Sequence, residues 1–388
     1  MRIVDVNFIF DENLATHEEQ LKQHYTVVGW AEALQRKGVE VIAIKRFKSD
    51  RKLQLNGVLY YFIKDGFPGH PKAWQFPLRL LKTVSSLEPD IVHLHGLFFS
   101  MQTFLLRLFL KKKTVIVIQH HGGPIPKGIR KSIHDLFNSV ANAFFFTTIE
   151  QGKQWFEPKK TTVKILPVME GATFFDYDNR LQNRDGCHQD KEIYRDKTGM
   201  KGSPVFLWVG RLDKNKDPLT VLSAFQILFN SCKNARLYMV YSGEQLLVDV
   251  KKKISDSDVL KDRVKLLGKI PHEEMDAYYC SADYFVLGSH YEGSGYALSE
   301  ALRCGCIPIV TDIPSFRMMT NGGQLGALWE AGYPNSFVEA VNFVLCKSLD
   351  DERKACIDFF DKNLSFDAIA ETTLAHYNNL LVSVRKSN

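Results

Sequence analysis

Two stretches in which short apolar runs alternate with amphipathic segments predict an α/β protein with two doubly wound, largely parallel sheets. The alternation fills the first half, breaks at a polar, unpatterned stretch over residues 176–201, and resumes at Val205. A chain of 388 residues has room for two such domains, each with a core of its own. The expected division is an N-terminal domain over 1–170, a C-terminal domain over 171–365, and a closing helix in 366–388.

In order, the strand-like runs of the first half are 2–9, 39–44, 59–62, 91–95, 114–119, 143–148 and 163–166. Each is brief and nearly continuously apolar, as strands covered on both faces are. Between the first two, 16–37 reads as one helix, with Thr16 and Glu19 as a capping box and Gly38 as its stop. In the second half, Val205-Phe-Leu-Trp-Val209 is a buried strand that runs into Gly210-Arg211-Leu-Asp-Lys-Asn-Lys216-Asp217-Pro218. Asp217 suits an N-cap and Pro218 the first helical position, while Leu219, Leu222, Phe225, Leu228 and Phe229 share one face. Residues 297–304 read as a helix closed by Gly305, and 306–310 as another strand.

The densest chemistry lies in Glu292-Gly-Ser-Gly-Tyr-Ala-Leu-Ser-Glu300. A helix N-terminus with little side-chain bulk binds anions through its N–H groups and dipole. One carboxylate in the turn and another on the helix can accept hydrogen bonds from hydroxyls beside it. A ligand with phosphate in the middle and sugar at both ends, a nucleotide-sugar, fits that pattern; so does a capped surface helix with two solvated glutamates. The loop after residues 205–209 shifts the balance. Arg211 and Lys216 sit together at the carboxyl end of a strand, where open α/β sheets bind ligands. An Arg fork and a Lys point charge can clamp a diphosphate.

Gly210-Arg211-Leu212 with Lys216, then Glu292-Gly-Ser-Gly and Glu300-Ala-Leu-Arg-Cys-Gly-Cys-Ile-Pro308, resembles the donor-binding half of glycosyltransferase family 4. The likeness is specific over residues 203–313 and looser elsewhere. It implies the GT-B architecture, two Rossmann-like domains facing across a cleft, with a last helix that crosses back to the first domain. It implies retaining transfer of a sugar from a nucleotide-diphospho-sugar to a hydroxyl acceptor, as in cell-surface polysaccharide or glycolipid synthesis, with no cofactor. By resemblance Arg211 and Lys216 hold the donor diphosphate, Glu300 the ribose hydroxyls, and Glu292 hydroxyls of the transferred sugar. Gly210, Gly293, Ser294, Gly295 and Tyr296 complete the donor site. Ser294 stands where the family commonly has phenylalanine, which leaves the donor sugar open. The paired glycines usual after the first strand are missing from residues 10–16, so acceptor recognition transfers least.

Histidines end two strands of the first half, in His93-Leu-His95-Gly96 and His120-His121-Gly122-Gly123. His121 matches the family's sugar-contacting His-Gly and joins Arg211, Lys216 and Glu292 in the expected catalytic set. His120 competes with it, since adjacent strand residues face opposite ways. Two Asp-x-Asp triplets, Asp176–Asp178 and Asp256–Asp258, end no apolar strand and read as solvated acids, so no metal is expected. The cations at 211 and 216 can neutralise the leaving diphosphate instead.

Hydrophobic content of 45% and charged content of 24% are ordinary for a globular protein, and no run of eighteen apolar residues exists to span a bilayer. The N-terminus reads as a first strand, not a signal peptide. The seven cysteines all follow residue 186 without zinc-type spacing and are expected as reduced thiols of a cytoplasmic protein. Residues 1–170 carry 24 Lys and Arg against 15 Asp and Glu, so the overall net charge of +6 resides in the first half. Residues 97–110, apolar and followed by Lys111-Lys-Lys113, have two readings: an internal helix with a solvated end, or a face that rests on an anionic membrane. The second would place the protein peripherally at the inner face of the membrane. Expected partners are the nucleotide-sugar donor and a sugar, lipid-linked or small-molecule acceptor, and no nucleic acid. Other readings are a nucleotide-sugar 2-epimerase, a synthase acting on a soluble acceptor, and a two-lobed sugar-binding protein without activity.

Overall fold

In the computed structural model, which describes residues 1–387 except 68, 70, 73, 124, 157–162 and 173–190, strand β1 (Arg2–Asn7) centres the first sheet. It pairs in parallel with β2 (Glu40–Arg46) on one side and β5 (Ile91–His95) on the other. Outward from β2 lie β4 (Val58–Ile63) and β3 (Arg51–Leu55), and outward from β5 lie β6 (Val115–Gln119), β7 (Ala143–Phe146) and β8 (Ile165–Pro167). Only β3 runs antiparallel. Alternate residues feed two separate cores. Ile3, Val41, Ile91 and Val117 pack on one face, and Val4, Ile42, Val92 and Ile116 on the other. Burial on both faces is why these strands read as unbroken apolar runs.

The second sheet has the order β11-β10-β9-β12-β13-β14 and is wholly parallel. Its strands are β9 (Val205–Arg211), β10 (Arg236–Ser242), β11 (Val264–Gly268), β12 (Tyr284–Leu287), β13 (Ile307–Thr311) and β14 (Ala327–Trp329). The chain forms two compact units, residues 1–171 with 366–388, and residues 172–365.

Helix Phe366–Ser387 belongs to the first unit and lies against helix Tyr25–Arg36. Gly29 permits this, because any Cβ there would enter the Phe366 ring. Trp30 Nε1 donates to Thr373 Oγ1 at 3.4 Å, and Arg36 pairs with Asp367 at 2.9 Å. The wholly buried Tyr377 reaches His93 Nδ1 at 2.5 Å.

Two of the expected elements differ. The single helix over 16–37 is two, His17–Gln23 and Tyr25–Arg36, parted at His24, whose ψ of 35° leaves helical geometry. The capping box is present, with Glu19 N donating to Thr16 Oγ1 at 3.1 Å and Glu19 Oε2 accepting from Thr16 N at 3.1 Å. Within the expected loop over 176–201, Lys191–Thr198 is a helix tied down by charge. Lys191 and Arg195 both pair with Asp283, the latter at 2.9 Å, and Arg353 reaches the same carboxylate at 3.1 Å. Asp176 and Asp178 lie outside the described residues. The thiol expectation also needs correcting: Cys280 is disulfide-bonded, whereas Cys232, Cys304, Cys306, Cys346 and Cys356 are free. No helix among the described residues is long and apolar enough to cross a membrane.

Three histidines make the first unit acid-sensitive. Burial above all pushes His24 down to about 4, His93 to about 3 and His120 to about 4. Their unfolded values lie near 6.5. Below that pH the unfolded chain takes up protons that the folded rings refuse, so stability falls as pH drops from about 6.5 towards 4. The slope approaches about 1.4 kcal/mol per pH unit for one fully buried ring. We expect the urea midpoint to fall between pH 7 and pH 5, and to fall less in His120→Leu. A flat or rising midpoint would contradict this.

Candidate functional site

The second sheet reverses its winding at β9, which pairs with β10 on one side and β12 on the other. The loops that leave β9 and β12 are therefore neighbours at the carboxyl edge, where such sheets take ligands. Asn215 stitches them together. Its carbonyl accepts from His290 N at 2.9 Å, its Oδ1 from Tyr291 N at 3.1 Å, and its Nδ2 donates to Tyr291 O at 2.9 Å. Lys216 then reaches across to form an ion pair with Glu292, and both side chains are largely buried, 15% and 11% exposed. Asp217 adopts φ 42° and ψ 57°, left-handed geometry that aspartate tolerates. Its carboxylate caps helix Pro218–Ser231 through Thr220 N at 3.2 Å and meets His290 Nε2 at 3.1 Å.

Arg211 differs from Lys216. Its side chain is 65% exposed and its Nε meets Asp213 Oδ2 at 2.8 Å. Each cation thus already has a carboxylate partner, with Lys216 held rigidly and Arg211 at the surface. Gly210, the last residue but one of β9, pairs with Tyr241. Gly293, the buried Ser294 and Gly295 lead into helix Tyr296–Arg303. Gly295 caps it at φ 68°, where a Cβ would lie 3.1 Å from both Met319 Sδ and the Phe316 ring. No side chain caps this helix, so its N-terminal dipole faces the loop that carries Glu292.

Glu300 sits one turn in and is nearly buried. Tyr279 OH donates to its Oε2 at 2.9 Å and His272 Nε2 meets its Oε1 at 2.7 Å. Burial alone would lower the His272 pKa, but the Glu300 hydrogen bond and charge outweigh it and hold the ring above its ordinary value. His272 and Tyr279 were not among the sequence candidates. The polar residues next to the apolar stretch before β12 were the available signal, but nothing in the sequence pairs them with Glu300.

His121 lies in the first unit, in a chain of four buried or half-buried groups. Asp5 Oδ1 meets His95 Nε2 at 2.5 Å, His95 Nδ1 meets His121 Nε2 at 2.6 Å, and His121 Nδ1 pairs with Glu170. The partners fix the protons. His95 must donate from Nε2 to the Asp5 carboxylate, so its Nδ1 accepts from His121. With Glu170 ionised, His121 also donates from Nδ1 and so holds protons on both nitrogens. The electrostatics agree: burial pushes His95 below its usual pKa, while Glu170 overcomes burial and raises His121. Asp5 is lowered despite burial, through His95 and Lys45. Both ring nitrogens of His121 are thus already engaged. His120 points the other way, stacked on Phe146 with ring centres 4.9 Å apart and edge-on to Trp155. Asp256 and Asp258 are exposed at helix ends, and no cluster among the described residues is arranged to hold a metal ion.

Two family models match this chain, Glycosyl transferases group 1 over residues 190–359 and Glycosyltransferase Family 4 over 24–153, together more than half of it. The chain belongs to the family 4 glycosyltransferases. A relative from Xanthomonas oryzae pv. oryzae, GDP-mannose:cellobiosyl-diphosphopolyprenol alpha-mannosyltransferase, is 25% identical over 301 residues, 74% of this chain and 73% of its own. Sucrose-phosphate synthase from Thermosynechococcus elongatus has the same fold, with a TM-score of 0.71 at 16% identity over 99% of this chain and 100% of that one. An Anabaena structure in complex with UDP and glucose matches at 0.69 and 12% identity, over 98% and 100% of the two chains. The glycosyltransferase has the GT-B fold.

The Lys216–Glu292 pair should be measurable as coupling. Removing either partner strands a mostly buried charge. Lys216→Met and Glu292→Leu should each destabilise the second unit by more than the double variant predicts if their effects add, with a coupling of about 1–3 kcal/mol. Additive unfolding midpoints would show that the pair contributes nothing to the loop.

Proposed function

We propose that this glycosyltransferase moves a hexose, with retention and without a metal, from a nucleotide-diphospho-sugar to a lipid-diphosphate-linked acceptor in cell-surface polysaccharide synthesis. One observation carries the donor assignment. Lys216 and Glu292 are joined at the switch point beside an uncapped helix N-terminus, with Arg211 on the same edge. A diphosphate bound there meets a guanidinium, an ammonium and a helix dipole, the groups needed as negative charge builds on the leaving group. Glu292 lies one residue before the glycines and would take hydroxyls of the transferred sugar, and Glu300, oriented by Tyr279 and His272, would take the ribose. Front-side attack suits this inventory. The departing phosphate can accept the acceptor's proton, and Arg211 and Lys216 take the place of a metal. His121 Gly122 would border the transferred sugar through its backbone, since the imidazole is committed to His95 and Glu170.

The acceptor class follows the Xanthomonas relative, whose name specifies a diphosphopolyprenol. A second feature supports work at the cytoplasmic face of a membrane. Helix Gly128–Asn138 exposes Ile129, Ile133 and Leu136 by 82%, 46% and 66%. Their spacing places them on one face. The expected segment 97–110 is less suited. It splits into a turn at Leu97–Phe99 and helix Ser100–Phe109, which buries Thr103 and Leu106 and packs against helix Gly128–Asn138. Flotation with phosphatidylglycerol vesicles at low salt should carry the wild type upward and the Ile129→Ser/Leu136→Ser variant less so. Equal flotation of both would remove this face from the proposal.

Arg211→Ala or Lys216→Ala should lower turnover about a hundred-fold or more, the range for losing one electrostatic stabiliser. Wild-type rates in both would reject the diphosphate assignment. The two glutamates should separate by calorimetry. Glu300→Gln should weaken free nucleoside diphosphate, because its partner ribose does not react. Glu292→Gln should slow transfer yet leave nucleotide affinity the same or higher, since it frees Lys216 for phosphate. Equal losses of affinity would refute these roles.

A further inference from the structure

The first unit contains a pocket of about 650 Å³ that begins at His95, His121 and Gly122, the last two proposed above to border the transferred sugar, and changes character away from them. Beyond that end its walls are mainly hydrocarbon and aromatic: Ile9, Phe98, Phe99, Met101 and Ile133. No carboxylate is among the described lining residues, and the one amide, Gln102, is spent on structure. Its Nε2 donates to Lys72 O at 3.1 Å and Gln75 O at 3.0 Å, which fastens Lys72 and Gln75 to helix Ser100–Phe109. Sugar hydroxyls are commonly held by carboxylates and amides, and the apolar part of the pocket beyond His121 offers no carboxylate and no free amide among the described residues. It offers positive charge. Lys72 and Arg130 line it, and among the described residues neither pairs with a carboxylate. Some exposed cations of this unit do pair, as in Arg51–Glu18 and Arg79–Asp50.

We infer that this pocket binds the prenyl diphosphate portion of the acceptor, with the first isoprene units on the aromatic wall and the diphosphate at Lys72 and Arg130. The inference rests on the lipid-linked-acceptor reading above and assigns it a place. Charge complementarity selects an anion, and the apolar wall selects one attached to hydrocarbon. Continuity with the exposed apolar face selects a lipid that reaches the pocket from a bilayer. Helix Gly128–Asn138 supplies Arg130, Ile133 and His134 to the pocket while Ile129 and Leu136 stand out to solvent. Trp74, 70% exposed, lies beneath the Lys72 ammonium at 5.4 Å from its ring centre, an aromatic of the kind that settles at membrane interfaces. His134, hydrogen-bonded to Ser100 Oγ at 3.0 Å, is pushed below its usual pKa by burial and by Arg130, so the wall there stays neutral.

Farnesyl diphosphate, kept below its micelle concentration, is the probe for calorimetry on the full chain. It should bind at least about tenfold more tightly than farnesol or inorganic pyrophosphate, because each of those satisfies only half of the pocket. Lys72→Ala/Arg130→Ala should weaken it about tenfold or more, while the remote Lys153→Ala binds like the wild type. Binding no tighter than that of either fragment, or undiminished in the double variant, would overturn the inference. Displacement of the probe by phosphatidylglycerol vesicles would assign the pocket to bulk lipid and overturn it too. A thermal-shift series with nucleotide-sugars runs in parallel and reads the second unit. Donor binding with a negative probe result rejects the pocket alone, and probe binding without donor binding rejects the transferase reading alone.

Discussion

The ion pair between Lys216 and Glu292 exists only because β9 and β12 are hydrogen-bonded neighbours where the second sheet reverses its winding. Each residue follows its strand in a loop of its own, and neither loop would hold its shape alone. Asn215 supplies three hydrogen bonds between them, and Asp217 accepts a left-handed backbone to bring Lys216 into line. A buried ion pair is a poor source of net stability, because desolvation consumes most of what the charges gain. Its value here is geometric. Lys216 is held at the carboxyl edge where the proposed diphosphate would arrive, and Glu292 keeps it from being an uncompensated buried charge.

The first unit solves a related problem with protons. Asp5, His95, His121 and Glu170 need a definite number of hydrogens to satisfy every contact, and with both carboxylates ionised the arrangement that does so leaves His121 doubly protonated between His95 and Glu170. Lys45, wholly buried at the far end of the chain, is pushed below the usual lysine range by burial, against the attraction of Asp5. The strand register makes this possible. Asp5 of β1 lies opposite His93 of β5, so positions two apart on one face bring Asp5, His93 and His95 together beneath helix Phe366–Ser387.

Much of this was legible in the sequence, for identifiable reasons. Strands buried on both faces read as continuous apolar runs, and six of the seven first-half runs overlap β1, β2, β4, β5, β6 and β7 closely. Strand β3 was invisible because Arg51–Leu55 is an exposed edge with no apolar face, formed by pairing with β4 alone. Helix Lys191–Thr198 was invisible because it buries no residue fully, and distant charges at Asp283 hold it. The glycines and charges around Arg211 and Glu292 stood out because they interrupt strong local patterns. His272 and Tyr279 did not, since their shared partner Glu300 is close only in three dimensions. His121 stood out as a candidate by its position, but its neighbours His95 and Glu170, which decide what its ring can do, come from other strands and loops.

The two units distribute charge in opposite ways, and the difference bears on order of events. In the second unit both loop cations are matched by Asp213 and Glu292, so the loops are formed before an anion arrives and little ordering remains to oppose binding. In the first unit Lys72 and Arg130 face a mostly apolar pocket with no described carboxylate beside them. Unmatched cations on a chain half with an excess of Lys and Arg set up a field that extends about a Debye length, roughly 8–10 Å at physiological salt. Such a field attracts an anion from a distance but does not fix its orientation. The apolar wall does that, since only one end of an amphiphile can be desolvated against Phe98 and Phe99. On the proposed readings, attraction by charge and orientation by hydrocarbon would be separate tasks in the first unit, whereas Lys216 and Glu292 would perform both at once in the second.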